Sequence, residues 1–188
     1  MVCPVEVKDR ILAAAVSRLE TGGVDSVSVS SVAEQAGVSR PTVYAHFGTR
    51  DLLLSEALRV VSGRTVTAVV EAVADAKSPS EFLVEAMVAA RSSFRSSPAF
   101  APLVHPRPGS VISDETVFAP AVLAMASAFL APALVDVEAA EHDEIADLCI
   151  RLFLSLIQLD SAATRSDDDL RGYLRRRLLP SLHLRPPA

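Results

Sequence analysis

Apolar residues recur at helical spacing along most of this chain. The apolar positions of the first predicted helix share one face: Ile11, Leu12, Ala15, Val16 and Leu19. Gly22 and Gly23 follow, and glycine favours the left-handed conformation that ends a helix. Val24, Val27 and Val29 then alternate with polar residues, but no second stretch with the same alternation follows to pair with them. We therefore interpret this short segment as a linker rather than a strand.

Residues 30–53, "SSVAEQAGVSRPTVYAHFGTRDLL", contain two short helical patterns on either side of Gly37. Ser28 and Ser31 are alternative N-caps for the first of these helices, which the pattern ends at Gly37. Ser39 is predicted to cap the second, with Pro41 in its first turn, where the missing N–H costs nothing. Gly48 ends it.

Helices this short are not stable alone, so both are expected to pack on the first helix. Val38, Val43 and Phe47 share the face predicted to lie inward. The outward face carries Pro41, Thr42, Tyr44 and Ala45, and Arg40 lies at its margin. The pattern predicts a helix-turn-helix that presents one short helix to a DNA major groove, and a plain αα-hairpin is the alternative.

The pattern in the rest of the chain predicts a larger helical domain. Further helices are predicted at residues 51–77, 80–95, 114–131, 138–163 and 168–182, the second of them capped by Ser80. Residues 96–110 hold four prolines and are predicted to be an irregular connection. We therefore predict an all-α fold, with a helix-turn-helix DNA-binding domain at residues 1–50 and a larger helical domain at residues 51–188, for which the family resemblance described below implies effector binding and dimerisation.

The distribution of charge along the chain is more informative than the net charge. The 188 residues carry a net charge of −5, which argues against a body that is basic overall. Residues 35–50 contain no acidic residue, yet Arg40, His46 and Arg50 lie within them. A phosphate backbone is therefore expected to approach this window.

Several other classes of protein are disfavoured. The histidines lie far apart in sequence, and neither a glycine-rich phosphate loop nor metal-ligand spacing appears, so no enzyme, metal or cofactor is predicted. Residues 117–135 are uncharged, but two prolines interrupt them and acidic residues flank them, which favours a buried helix over a membrane span. With no signal peptide visible and only Cys3 and Cys149, a cytoplasmic protein is expected.

The segment "GVDSVSVSSVAEQAGVSRPTVYAHFGTRDLL" resembles the helix-turn-helix of the tetracycline-repressor (TetR) family of bacterial regulators. The resemblance covers roughly residues 8–54, and beyond it only the helical architecture is similar. It implies that Arg40, Pro41 and Thr42 lie near base edges and that Tyr44 and His46 contact phosphates. These residue types suit that role, because Arg offers a fork to guanine and Pro an apolar contact to a thymine methyl.

Two positions depart from the family pattern. Ser30 stands where a longer polar or basic residue often reaches DNA in the family. Arg50 stands where the family usually has a lysine, and either cation is able to meet a phosphate. We include both residues among the predicted DNA contacts.

The resemblance also implies a two-fold dimer through the C-terminal helices and a small-molecule site among the middle helices. Two apolar stripes predict the dimer interface: Leu148, Leu152 and Leu156 with Leu170, Leu174 and Leu178. The candidate ligand wall consists of Phe82, Met87, Phe94, Phe100, His105, Phe118, Met125 and Phe129. Each of these wall residues is equally compatible with ordinary core packing.

These observations predict a homodimeric repressor that binds a double-stranded, inverted-repeat operator and leaves it when a small, largely apolar effector binds. Two other functions stay open. A DNA-binding architectural protein would have a fully packed body and no effector. A ligand-binding or scaffold protein with a vestigial helix-turn-helix would not recognise a DNA sequence.

Overall fold

A computed structural model describes residues 4–106, 119–135 and 137–182, and the regular elements in these ranges are all helices. The α-helices are α1 (Pro4–Gly22), α2 (Val29–Ala36), α3 (Arg40–Phe47), α4 (Arg50–Ala72), α5 (Pro79–Ser96), α6 (Ala101–Val104), α7 (Pro120–Leu130), α8 (His142–Gln158) and α9 (Asp167–Ser181). Short 3₁₀ helices occupy Val24–Ser26, Pro98–Phe100, Ala131–Ala133 and Ala139–Glu141. The all-α prediction is confirmed.

The chain forms two compact units. The N-terminal unit comprises the residues up to Thr67 together with Ser96–Pro102, and the C-terminal unit comprises Ala68–Arg95 together with the residues from Leu103 onward. These units do not divide at residue 50, where the sequence pattern placed a boundary. The difference arises because the first part of α4 packs with the helices that precede it: Leu53 and Ala57 are 0% exposed.

The turn after α1 shows why glycine is needed there. Gly23 has a φ of 70°, and a Cβ at this position would lie 2.8 Å from the carbonyl oxygen of Pro98. The segment predicted to be a linker is the 3₁₀ helix Val24–Ser26 followed by extended backbone at Val27, whose side chain is fully buried. The linker interpretation is therefore confirmed.

The connection between α4 and α5 differs from the prediction. Helix α4 ends at Ala72 rather than near residue 77. The cap of α5 is Ser78, whose Oγ accepts a hydrogen bond from the Glu81 N–H at 3.1 Å, while a Glu81 oxygen accepts one from the Lys77 N–H at 2.8 Å. Ser80, the predicted cap, lies inside the helix and is buried, because two nearby serines offer the same local capping chemistry.

The C-terminal unit has its own apolar core, to which α5, α7, α8 and α9 contribute. Its largest fully buried side chains include Leu83, Leu134, Leu170, Leu174 and Leu179. The core thus takes up one complete face of α9.

Long-range ion pairs join α5 to the helices that follow it. Helix α8 ends at Gln158 rather than near residue 163, and Asp160 just beyond that end accepts hydrogen bonds from Arg91 and Arg95. On the other side of α5, Glu85 accepts from the Arg171 Nε at 3.0 Å. These contacts fix the α8–α9 connection against α5.

The uncharged stretch at residues 117–135 is only partly described. Helix α7 begins at Pro120 and ends at Leu130, whereas the start of the helix predicted at residue 114 lies outside the described residues. No helix in the described ranges is long and apolar enough to cross a bilayer.

Candidate nucleic-acid interface

Helix α2 begins with a reciprocal cap. The Ser28 Oγ accepts a hydrogen bond from the Ser31 N–H, and the Ser31 Oγ accepts one from the Ser28 N–H, both at 3.1 Å. Ser28 is therefore the N-cap, and Ser31 takes the place that Glu or Gln usually fills in a capping box. The cap settles the choice between the two serines that the sequence left open.

The corner between α2 and α3 depends on Gly37. Its φ and ψ are 64° and 40°, the left-handed region, and the Val38 N–H bonds back to the Ala33 carbonyl at 3.0 Å. A Cβ on Gly37 would meet nothing within 4 Å. Glycine is thus required here by backbone conformation and not by lack of space.

Helix α3 begins at Arg40, after the N-cap Ser39. The Ser39 Oγ accepts from the Thr42 N–H at 3.3 Å and lies 2.7 Å from the Thr42 hydroxyl oxygen. Pro41 occupies the first turn, as predicted. The Thr42 hydroxyl is therefore already engaged in the cap, although it retains lone pairs for a further donor.

One face of α3 is buried and the other is open. Val43 and Phe47 are 1% and 7% exposed, whereas Tyr44 is 52% exposed. Arg40 and Pro41 are exposed beside it, and Thr42 and His46 are half-buried at the edges of this face. Arg40, Pro41 and Tyr44 are thus accessible, whereas Thr42 and His46 are only partly so.

This surface is electrostatically suited to DNA. Within the described residues, Arg40 has no acidic partner, and residues 35–50 contribute no carboxylate. An exposed guanidinium that makes no internal ion pair keeps its donors for a base edge or a phosphate. Ser30 is also exposed, in the first turn of α2.

Arg50 is held differently from Arg40. Its Nε donates to the Val27 carbonyl at 2.7 Å and its Nη2 to the Val24 carbonyl at 3.0 Å, while its Nη1 lies 3.7 Å from an Asp51 oxygen. The guanidinium therefore ties the start of α4 to the α1–α2 connection. No sequence pattern reveals this role, because the bonded residues are 23 and 26 positions apart.

The candidate ligand wall is only partly assembled. The rings of Phe82 and Phe129 pack at 5.9 Å between centroids, and Met87 is buried in the same core. Phe94 instead packs edge-on against Phe153 at 5.0 Å.

The remaining wall residues are placed elsewhere. Met125 is 50% exposed and His105 is also exposed, while Phe100 belongs to the N-terminal unit. Phe118 lies outside the described residues. The sequence could not separate core from surface here, since methionine and phenylalanine suit both.

One buried polar group in the C-terminal unit was missed by the sequence analysis. The Arg91 side chain is 5% exposed, and its Nη2 donates to Asp160 at 2.9 Å. Its Nε is buried and has no hydrogen-bond partner within the part of the chain that the structure describes. A buried donor of this kind favours an acceptor from outside the chain, such as water or a ligand oxygen.

The predicted dimer stripes require a correction. Leu170, Leu174 and Leu178 are 0–3% exposed and Leu156 is 5% exposed within a single chain, so these side chains already lie in the C-terminal core. They cannot offer a surface to a partner, and their assignment to the interface is wrong. The periodicity was correctly recognised as apolar, but the core of the same chain takes up these side chains.

A narrower apolar face stays open on α8. Leu148 is 42% exposed, Leu152 is half-buried, and Leu159 at the end of the helix is 66% exposed. The spacing places all three on one side of the helix.

The titratable groups give no sign of catalytic chemistry in the described residues. Burial raises the pKa of the Cys149 thiol to about 12, which keeps it protonated and unreactive. No three His, Cys, Asp or Glu side chains in the described ranges cluster as they would around a metal ion.

Comparisons with known proteins agree with this geometry. Residues 11–57 match the family described as bacterial regulatory proteins, tetR family. The chain is similar in structure to the TetR family repressor AlkX from Dietzia sp. strain DQ12-45-1b, implicated in biodegradation of n-alkanes, with a TM-score of 0.64 and 24% identity over 93% of this chain and 96% of that one. No curated protein matches the chain.

Two proteins from Rhodococcus sp. RHA1 are also similar. One is a protein of unknown function, with a TM-score of 0.63 and 22% identity over 94% of this chain and 95% of that one. The other is a TetR-like transcriptional regulator, with a TM-score of 0.53 and 17% identity over 93% of this chain and 94% of that one. At these identities the likeness establishes the fold.

The capped, glycine-cornered helix pair with an exposed second helix defines a helix-turn-helix DNA-binding protein. The match over residues 11–57 assigns this helix-turn-helix segment to the type found in bacterial regulatory proteins of the tetR family.

Proposed function

We propose that this chain is a transcriptional repressor that binds an inverted-repeat operator as a homodimer and is released by a small effector. The observation that carries the proposal is the open face of α3, on which Arg40 is exposed and without an acidic partner among the described residues. An eight-residue helix of this kind fits the major groove, where an arginine fork matches the two acceptors of guanine. In this binding mode Tyr44 and His46 meet the flanking phosphates.

The open face of α8 supports dimerisation. A single recognition helix reads only a few base pairs, so sequence-specific control by this fold calls for two of them. Leu148 and Leu159 are exposed apolar side chains, and Leu152 between them is half-buried against the core of its own chain. A two-fold contact through α8 covers these side chains on both protomers and sets the spacing of the two α3 helices.

The C-terminal unit supports an effector with mixed chemistry. Phe82, Met87 and Phe129 supply apolar packing surface on α5 and α7, while the Arg91 Nε is a buried donor without an acceptor among the described residues. An effector oxygen beside Arg91 would supply the acceptor that this donor lacks. This refines the sequence-based hypothesis of a largely apolar effector, because exposed His105 is the weaker candidate for the polar contact.

Helix α4 provides the physical link for release. It begins at Arg50, directly after the DNA-reading helices, and its last residues belong to the C-terminal unit. An effector that binds best in one arrangement of α4 changes the spacing of the two α3 helices, and with it their fit to successive grooves. By linkage, the operator then weakens effector binding by the same factor.

The test is operator selection followed by affinity measurement. Binding sites are selected from fragments of the source genome, and the wild type, Arg40→Ala and Arg59→Ala are compared on the selected site and on scrambled DNA. Arg59 is a matched control because it lies in the same unit and already forms an ion pair with Glu56. We expect Arg40→Ala to lose about 1 to 3 kcal/mol of discrimination and Arg59→Ala to lose none.

The same measurements separate the alternatives. Equal discrimination by the wild type and Arg40→Ala would remove Arg40 from base readout. Selected fragments without a common sequence would favour an architectural protein, and no DNA binding at all would favour the scaffold. Addition of a candidate effector to the operator complex should lower operator affinity, whereas an unchanged affinity would show that the compound is not an inducer.

A further inference from the structure

Lys8 lies where the apolar stripe of α1 reaches the end of α3. It precedes Ile11, Ala15 and Leu19 at helical spacing, and those three side chains are fully buried. The Lys8 Nζ is 5.7 Å from the centroid of the Phe47 ring, and Phe47 is the last residue of α3. The lysine therefore occupies the core-facing side of α1, although the residue itself is exposed.

The contact with Phe47 orients the charge. A lysine on this side of a helix buries its methylene stem along apolar surface and extends its ammonium group to water. The ring face attracts that ammonium within about 6 Å of its centroid, with an energy that holds the side chain without burying the charge. Lys8 thus presents a positioned cation beside the last turn of α3.

The Lys and Arg side chains of the N-terminal unit differ in whether they form ion pairs. It contains seven Lys and Arg residues, of which Arg50, Arg59 and Arg64 make ion pairs. Arg18 donates to the Ser26 carbonyl and to Gln35. Arg18 therefore has no acidic partner either, and the cations of this unit for which the described residues show neither an ion pair nor a side-chain hydrogen bond are Lys8, Arg10 and Arg40.

The position of Lys8 separates it from Arg10. Successive helix residues are rotated by about 100°, so Arg10 lies well away from the side of α1 that meets α3. The acidic neighbours Glu6 and Asp9 are likewise on other sides of the helix. Lys8 is the one of these four with a cation–ring contact to α3 in the described residues.

We propose that Lys8 is a DNA-phosphate contact, positioned by Phe47 at the opposite end of α3 from Arg40. Phosphates line both sides of the major groove that receives α3. Phe47 lies on the buried face of α3, so the Lys8 ammonium stands beside the last turn and not on the open face, where a backbone phosphate and not a base edge can reach it. This inference rests on the proposed DNA binding through α3.

The salt dependence of DNA binding tests the contact without knowledge of the operator. A random-sequence duplex is titrated with the wild type, Lys8→Met, Lys8→Arg and Lys77→Met over a range of salt concentrations. Methionine keeps an apolar stem against Phe47 and removes the charge. Lys77 is a matched control, because it is the only other lysine of the chain and lies in the C-terminal unit.

We expect Lys8→Met to reduce the slope of log K against log[salt] by about 0.9 per protomer. Lys8→Arg should keep the wild-type slope, and Lys77→Met should leave it unchanged. A purely structural role for Lys8 would lower the thermal stability of the Met variant and leave the slope as it is in the wild type. That result would overturn the inference.

Amine labelling of the wild-type protein supplies a second measurement that needs no variant. With two lysines in the chain, peptide mapping after reaction with an amine reagent reports each of them separately. Bound duplex should protect Lys8 and leave Lys77 reactive. If DNA binds and Lys8 stays equally reactive, the inference fails while the proposed function stands; if no duplex binds, both fail.

Discussion

The interactions within the N-terminal unit span shorter stretches of sequence than those within the C-terminal unit. In the N-terminal unit, the caps of α2 and α3 join residues three positions apart, as in Ser28 with Ser31 and Ser39 with Thr42. In the C-terminal unit, Arg91 and Asp160 are 69 positions apart. The first region is therefore specified by local sequence, and the second by contacts that exist only once the helices have packed.

Individual cations differ in whether they are paired. Arg40 is exposed on α3 without an acidic partner among the described residues, and the Lys8 ammonium lies over a ring. Arg91, Arg95 and Arg171 of the C-terminal unit are all paired with carboxylates. A DNA-binding surface needs cations of the first kind, because a paired cation has less charge to offer a phosphate.

The largest expected change in stability comes from leucine substitutions on α9 and α8, which compare a buried leucine with an exposed one. Leu174 is 0% exposed and Leu148 is 42% exposed, although both were predicted to line the dimer interface. We expect Leu174→Ala to lower the free energy of unfolding by about 2 to 5 kcal/mol, because it leaves a cavity in the core. Leu148→Ala should cost less than about 1 kcal/mol of folding stability and weaken dimerisation.

Denaturant unfolding at several protein concentrations and sedimentation equilibrium measure the two effects. The concentration series is needed because dimerisation itself adds to apparent stability. If Leu174→Ala dissociated the dimer and left unfolding of the monomer unchanged, Leu174 would return to the interface.

The same contrast explains what the sequence could and could not predict. Gly37, Ser39 and Gly48 were recognised because a left-handed turn or a cap needs particular residues at particular positions. The apolar stripe of α9 was recognised too, but periodicity does not say whether a face is covered by the same chain or by a partner. The bonds of Arg50 to Val24 and Val27 were unpredictable for a related reason, since nothing in a local pattern marks which carbonyl lacks a donor.

Removal of Asp160 tests the long-range contacts, with a smaller expected effect. Its carboxylate is 54% exposed, but it is the hydrogen-bonded partner of the buried Arg91. We expect Asp160→Ala to cost about 1 to 3 kcal/mol at neutral pH, since it leaves a buried charge without its acceptor. The exposed pair of Asp147 with Arg151 is the control, and Asp147→Ala should cost at most about 0.5 kcal/mol.

Asp160 also predicts a dependence on pH. A hydrogen bond from Arg95, with further contributions from Arg91, lowers the pKa of Asp160 below its ordinary value. A carboxyl with a lowered pKa in the folded state stabilises the protein above its unfolded pKa, and this stability is lost as the pH falls through the folded value. Asp160→Asn should therefore show a shallower loss of stability in acid than the wild type, and identical acid profiles would contradict this role.

The smallest expected effect concerns two glycines that differ only in backbone conformation. A Cβ would meet nothing within 4 Å at Gly37 or at Gly63, but Gly37 has a φ of 64° and Gly63 lies within α4. Gly37→Ala should destabilise the protein by about 1 to 2 kcal/mol, because alanine is strained in the left-handed region. Gly63→Ala should stabilise it by about 0.5 to 1 kcal/mol, because alanine favours a helix. Urea unfolding of both variants measures the signs, and a gain in stability from Gly37→Ala would show that the corner does not depend on its glycine.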